Sequence, residues 1–154
     1  MITIELESTE ARRLLNRLAA RMKDLRRPMS AVGDALITQI DDSFGSGRSP
    51  VGGRWRESAR VKRDGGKTLV DKGILRDSMT CEVDRQGVTV GTNVPYAAIH
   101  NFGGAIRPRR KKALSFGGII RRSVVMPKRQ FMPDNRSVDW AEIIATLRRH
   151  LEQA

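Results

Sequence analysis

The chain opens on strict alternation, with Ile2, Ile4 and Leu6 interleaved with Thr3, Glu5 and Glu7. A period of two describes a half-buried strand. The period then changes. Ser8 or Thr9 can cap a helix whose first turn carries Glu10, well placed against the positive helix end. Leu14, Leu15, Leu18, Met22 and Leu25 recur at helical spacing, while Arg12, Arg13, Arg17 and Arg21 fall on other faces. Pro28 ends this helix and suits the start of the next. Val32, Leu36, Ile40 and Phe44 lie four apart and predict a narrow, core-facing stripe on a second helix.

Residues 45–53, Gly-Ser-Gly-Arg-Ser-Pro-Val-Gly-Gly, read as a turn-rich loop without a regular element. Gly-Lys-Ser or Gly-Lys-Thr is absent and no apolar strand precedes, so this is not a phosphate-binding loop. Trp55 follows at once and has two readings, a core anchor pinning the loop or a contact with a neighbouring subunit. Residues 60–67 are charged and glycine-bearing, and are expected to stay mobile until a partner orders them. In the segment 68–78, Asp71 is a plausible helix cap, with Ile74 and Leu75 as a short apolar face. β-branched residues on both sides of Arg85-Gln86 predict a hairpin over 79–91.

Pro95 then fixes the chain before a helical turn closed by Gly103-Gly104. Tyr96, Ile99 and Phe102 lie three apart, so they can share a face and pack on that hairpin. Around Gly117-Gly118, two short apolar arms predict a second hairpin, flanked by Arg109 to Lys112 and by Arg121-Arg122. It is either an arm that grips a partner or an edge hairpin whose charges prevent sticking. Ser137 is expected to cap a final helix in which Trp140, Ile144, Leu147 and Leu151 form a stripe that completes the core or faces a neighbour.

Composition narrows the picture. A chain of 154 residues fits one domain, 1–154, with extended loops at 45–67 and 105–130. Only 39% of residues are hydrophobic and 5% aromatic, so the core should be modest and aliphatic, with some burial supplied by a partner subunit. Cys81 has no second cysteine to pair with, which fits a reducing compartment. No apolar run reaches spanning length and the N-terminus lacks signal-peptide blocks, so a soluble product of the cytoplasm, with no membrane partner, is expected.

Charge adds most. Against 17 acidic residues stand 29 lysines and arginines, a net charge of +12. Arginine dominates the clusters Arg26-Arg27, Arg107-Pro-Arg-Arg-Lys-Lys112, Arg121-Arg122 and Arg148-Arg149. Guanidinium forks suit bidentate pairing with carboxylate or phosphate, so the clusters are candidate docking patches for acidic protein or nucleic acid, or else a solvated basic surface.

Catalytic chemistry is hard to find. His100, His150 and Cys81 do not make a cluster with metal-ligand spacing. His100 reads as structural, Cys81 as a small core residue, and Asp71 and Asp77 as caps or partners of Arg76. Dinucleotide fingerprint and nucleophile elbow are missing. No catalytic residue, metal or cofactor is therefore assigned, and the chain is expected not to be an enzyme. A toxin-like enzyme binding RNA through the basic surface is the remaining catalytic alternative, centred on His100.

The order of several motifs does carry a resemblance. Gly47-Arg-Ser-Pro50, Gly53-Arg-Trp55, Leu69-Val-Asp-Lys-Gly-Ile-Leu-Arg-Asp-Ser78, Gly91-Thr-Asn-Val-Pro-Tyr-Ala-Ala-Ile-His-Asn-Phe-Gly-Gly104 and Met126-Pro-Lys-Arg-Gln-Phe131 follow one another at spacings that resemble the phage virion morphogenesis or tail completion family over most of residues 30–150. Lys128-Arg-Gln-Phe131 departs from the Pro-Ala-Arg-Pro-Phe usual in relatives. The resemblance implies a structural assembly protein of the virion neck, assembled in the host cytoplasm, whose six-fold ring completes the tail and joins it to the DNA-filled head. Its implied partners are other copies of itself, head-closure proteins, tail-terminator or tail-tube proteins, and DNA in the lumen. Candidate partner-binding residues are Trp55, Tyr96, Phe102, Arg107, Arg109, Arg110, Lys111, Lys112, Arg121 and Arg122. The expected fold is α+β, a small antiparallel sheet packed with N-terminal and C-terminal helices and carrying long flexible loops. A small basic nucleic-acid-binding protein is the alternative from another class, weakened by the scarcity of aromatics for stacking.

Overall fold

Ser8 accepts a hydrogen bond from the Ala11 N–H at 3.2 Å and so starts helix α1, Thr9–Met22. The structure, a computed structural model, describes residues 8–152 other than 86, 111 and 117. The strand expected at residues 2–7 lies outside the described residues. Asp24 takes the Arg26 N–H at 3.1 Å at the head of helix α2, Arg26–Ser46, with Pro28 buried in its first turn, where a missing N–H costs nothing. Helix α3 is Ala59–Asp64 and α4 is Ala97–Phe102; α5, Trp140–Glu152, closes the described chain. Strands β1, Met79–Val83, and β2, Val88–Thr92, form the first hairpin. Strands β3, Gly104–Ile106, and β6, Val124–Met126, enclose β4, Leu114–Phe116, and β5, Ile119–Arg121.

The fold is α+β. Its strands form three separate two-stranded ladders among the described residues, where a single small sheet was expected. The ladders are also short, with three residues in each of β3 to β6.

The chain divides into two compact units, with the boundaries falling inside α2 and inside the first hairpin. One unit holds α1, the first half of α2, the hairpin tip and α5. In it α1 packs on α5, and Arg21 Nη1 donates to the His150 carbonyl at 2.6 Å. Leu14, Leu15 and Met22 of α1 and Trp140 and Ile144 of α5 are nevertheless exposed. Neither helix has a fully buried residue, so the stripes read from the sequence do not close a core within the chain. Asp139, not Ser137, caps α5, accepting from the Glu142 N–H at 3.1 Å. Ser137 turns the chain before it instead, its hydroxyl bonding Asp134.

The second unit, residues 36–80 and 90–138, contains the core. Ile40 and Phe44 of α2 meet Trp55, Leu75, Ala97 and Phe131, as the four-residue stripe predicts. Phe44 stands edge-on to Trp55 at 5.7 Å and tilted against Phe131 at 5.2 Å. That anchorage carries α2 two residues into the glycine-rich stretch expected to be loop. Gly47, at φ 67°, then stops it, its N–H reaching the Ser43 carbonyl at 2.9 Å. An isolated bridge between Arg48 and Arg54 closes the following turn.

Two further readings change. Within the segment expected to be mobile, Ser58 caps α3 through the Val61 N–H, and Arg60 donates to the carbonyls of Lys67 at 2.6 Å and Val70 at 2.9 Å. One arginine thus supplies the cross-links that glycine-rich backbone cannot. Asp71 caps nothing; it faces Arg60 at 3.8 Å, and the 310 turn Arg76–Ser78 has no side-chain cap.

Candidate assembly surface

The motifs that are far apart in sequence meet in space. Asn101 Oδ1 accepts the backbone N–H of Phe131 at 3.0 Å and of Met132 at 2.9 Å. The Arg129 N–H reaches the His100 carbonyl at 2.8 Å, and Trp55 Nε1 donates to the Gln130 carbonyl at 2.9 Å. Gly103, at φ 71°, lies so close to residue 128 that a Cβ there would stand 2.7 Å from the Lys128 nitrogen. Gln130 holds the turn that follows, its amide donating to the Met132 carbonyl at 3.1 Å. These residues are a scaffold. What they present is on the surface around them.

Trp55 is part of the scaffold. At 5% exposure, with its ring edge-on to Phe44 and its Nε1 bonded to the Gln130 carbonyl, it is the core anchor of its two readings. On α4 the face that packs is Ala97 with Asn101, one helical turn apart. Tyr96 and Phe102, expected to pack inward with Ile99, are exposed instead, Phe102 by 72%. The physical reason is the demand of Asn101: its double hydrogen bond turns that side of the short helix to the core and Phe102 outward.

Gly103 leads directly into an arm. Its root is the antiparallel ladder of Gly104 with Met126, Ala105 with Val125 and Ile106 with Val124. Its tip is the predicted hairpin, pairing Leu114 with Arg121, Ser115 with Ile120 and Phe116 with Ile119; Gly117 lies outside the described residues. Ile119 is 46% and Ile120 69% exposed. Successive strand residues point to opposite faces, so neither face of the hairpin at β5 is covered. Between Asp84 and Asp134 the sequence has no acidic residue and ten arginines and lysines. Arg107, Arg109, Arg110 and Lys112 are exposed between β3 and β4, and Arg121 and Arg122 at the end of β5. Lys111 lies outside the described residues. The ion pairs among the described residues, such as Arg26 with Asp24 and Arg76 with Asp77, engage none of these arm cations.

Beside the arm's root opens a cleft of about 420 Å³. Leu69, Leu75, Tyr96, His100, Pro127 and Arg129 are among its walls. Three of the motifs therefore contribute to one concavity, a convergence that spacing alone does not reveal. Burial, and then the Arg129 charge, push the His100 pKa below its usual value. His100 Nδ1 is buried without a hydrogen-bond partner. Among the described residues no group of histidine, cysteine or carboxylate side chains could hold a metal ion.

Residues 6–152 match the phage virion morphogenesis family. The chain belongs to that family. It is also 34% identical, over 115 residues, to the Mu-like prophage FluMu G protein 2 of Haemophilus influenzae, a match covering 74% of this chain and 79% of that protein. No solved structure matches. Membership in the phage virion morphogenesis family gives the chain a structural, assembly role in the phage particle. In this family member the motifs are accounted for largely by the core and its cross-links, while the arm and Phe102 beside it are exposed. No helix among the described residues is long and apolar enough to cross a membrane.

Proposed function

We propose that the protein assembles as a six-fold ring in the virion neck, where it completes the tail and joins it to the DNA-filled head, acting by binding and not by catalysis. One observation carries this reading: an arm whose tip is uncovered on both faces, acid-free and rich in arginine. A two-stranded ribbon of this size has little stability alone. It gains stability by insertion between surfaces that cover its isoleucines and supply carboxylates for its arginines. Phe102 adds an apolar anchor beside the arm's root, and the exposed stripes of α1 and α5 give a second apolar surface suited to subunit contacts.

Particles produced with and without the protein test the proposal by electron microscopy. Separate heads and tails in its absence, and a few copies at the junction in its presence, are expected. Joined particles without it would overturn the neck role.

The seven cations of residues 104–126 also favour a second reading, contact with DNA. Duplex affinity falling steeply with salt, and lost when these residues are neutralised, would support it. The exposed isoleucines weigh against it, since they match protein better than phosphate.

A further inference from the structure

Arg129 is 5% exposed, yet it has no carboxylate partner among the described residues. Its Nε donates to the Arg56 carbonyl at 2.7 Å and its Nη2 to the Glu57 carbonyl at 3.5 Å. Those bonds orient the guanidinium without neutralising it. Burying a cation away from water is costly unless an anion accompanies it, and desolvation together with the nearby Arg56 charge pushes the Arg129 pKa down. The one acidic residue on the cleft wall, Asp71, is directed to Arg60 at 3.8 Å. A second unmet donor or acceptor sits next to it, because His100 Nδ1 is buried and unpartnered while the His100 carbonyl holds the Arg129 N–H. Leu69, Leu75 and Pro127 give the cleft an apolar part, with Tyr96 edge-on to His100 at 6.0 Å, and Arg60 and Lys72 on its wall add further positive charge.

We propose that this cleft seats a glutamate or aspartate side chain, flanked by aliphatic residues, from an extended segment of a neighbouring virion protein. Arg129 is its counter-cation, His100 its second polar contact, and the apolar walls take the flanking side chains. The charge complementarity is specific, since a buried cation lacking an anion selects for an acidic side chain small enough to enter. A duplex phosphate is presented on a broad convex surface and does not follow a carboxylate into such a recess. Unlike the arm, which offers charge on an open surface, the cleft offers it at depth, which gives selectivity more than long-range attraction. The proposal rests on the assembly role above and names one contact that role would use.

The test is a titration of the whole protein, labelled for NMR, with a capped heptapeptide carrying one glutamate between leucines, with its glutamine counterpart, and with a short DNA duplex. The glutamate peptide should shift the Arg129 Nε–H and His100 ring signals saturably, and the glutamine peptide should bind about tenfold more weakly or worse, the loss expected for a charge-assisted pair. Equal shifts by the two peptides, no shift with either, or shifts with DNA alone would overturn the proposal. Arg129 also braces residues 56 and 57, so Arg129→Gln can fail by unfolding. Ile74→Trp, at an exposed position on the cleft wall, obstructs the cleft from outside the core and should abolish the peptide shifts with the fold intact. Retained shifts in that variant would also overturn it. If the peptide fails while the protein is still needed to join heads to tails, the cleft proposal falls and the assembly role stands.

Discussion

Asn101 and Phe131 are thirty positions apart and joined by one bond, the Phe131 N–H to Asn101 Oδ1 at 3.0 Å, with the Met132 N–H sharing the same oxygen. The α4 motif thereby fixes the segment that returns from the arm. Asn101→Ala leaves two backbone donors without an acceptor in a buried place. A loss of about 2–6 kcal/mol in urea unfolding is expected, from roughly 1–3 kcal/mol for each of the two unsatisfied groups. Asn101→Ser, which keeps an oxygen on a shorter arm, should recover only part of it.

Gly33 and Cys81 give a second prediction, within the other unit. A Cβ on residue 33 would stand 2.3 Å from Cys81 Sγ and 3.0 Å from Val88 Cγ2. Helix and hairpin approach at this point only because one side chain is a hydrogen atom. Gly33→Ala should lower stability by about 1–3 kcal/mol, the usual cost of overpacking. Cys81→Ala removes the sulfur, and the double variant should be more stable than Gly33→Ala alone by thermal or urea unfolding.

His100 sets a pH dependence. Its folded pKa lies below the unfolded value of about 6.5 because burial and Arg129 disfavour the imidazolium. The unfolded chain therefore binds the proton more readily, so the contribution of His100 is complete above about pH 6.5 and is lost as pH falls from there through the folded pKa. The midpoint of urea unfolding should decline over that window before most carboxylates titrate. His100→Gln should flatten the decline, and an unchanged slope in that variant would assign it to other groups.

The arm is expected to matter little to the stability of the isolated chain. Arg121 and Arg122 are exposed, without ion pairs among the described residues. Substituting both with serine should change stability by less than about 0.5 kcal/mol, as for surface sites without special contacts. Calorimetry of the purified variant checks this, and a large loss would mean that the arm braces the fold.

Much of this architecture was legible in the sequence where a local rule and the tertiary contacts agree. The spacing of Val32, Leu36, Ile40 and Phe44 located the packed face of α2, the pair Ser8-Thr9 the start of α1, where Ser8 is the cap, and the β-branched runs around residue 85 the first hairpin. Reading failed where a distant residue decided the matter. Tyr96, Ile99 and Phe102 have a helical spacing that suits burial, but Asn101 claims the inward side of α4 for residues 131 and 132. Asp71 and Ser137 are both competent caps, and each was diverted, the one to Arg60 and the other to Asp134. The β3–β6 ladder was invisible because its strands share no turn, β4 and β5 lying between them in the chain, whereas Gly117-Gly118 marked the equally short β4–β5 pair. In the candidate surface the basic clusters were plain from composition, whereas the cleft exists only through the convergence of three separated segments. The family resemblance supplied what residue chemistry did not, the role in phage assembly.

The arm's role in joining heads to tails is the central claim, and the most direct measurement is electron microscopy of particles assembled with a variant that keeps the fold and loses the arm's surface. Ile119→Ser, Ile120→Ser, Arg121→Ser and Arg122→Ser combined remove the exposed aliphatics and charge of one strand while leaving the core of Ile40, Phe44, Trp55 and Phe131 intact. The account predicts a folded protein and separate heads and tails. Joined, infectious particles made with that folded variant would contradict it.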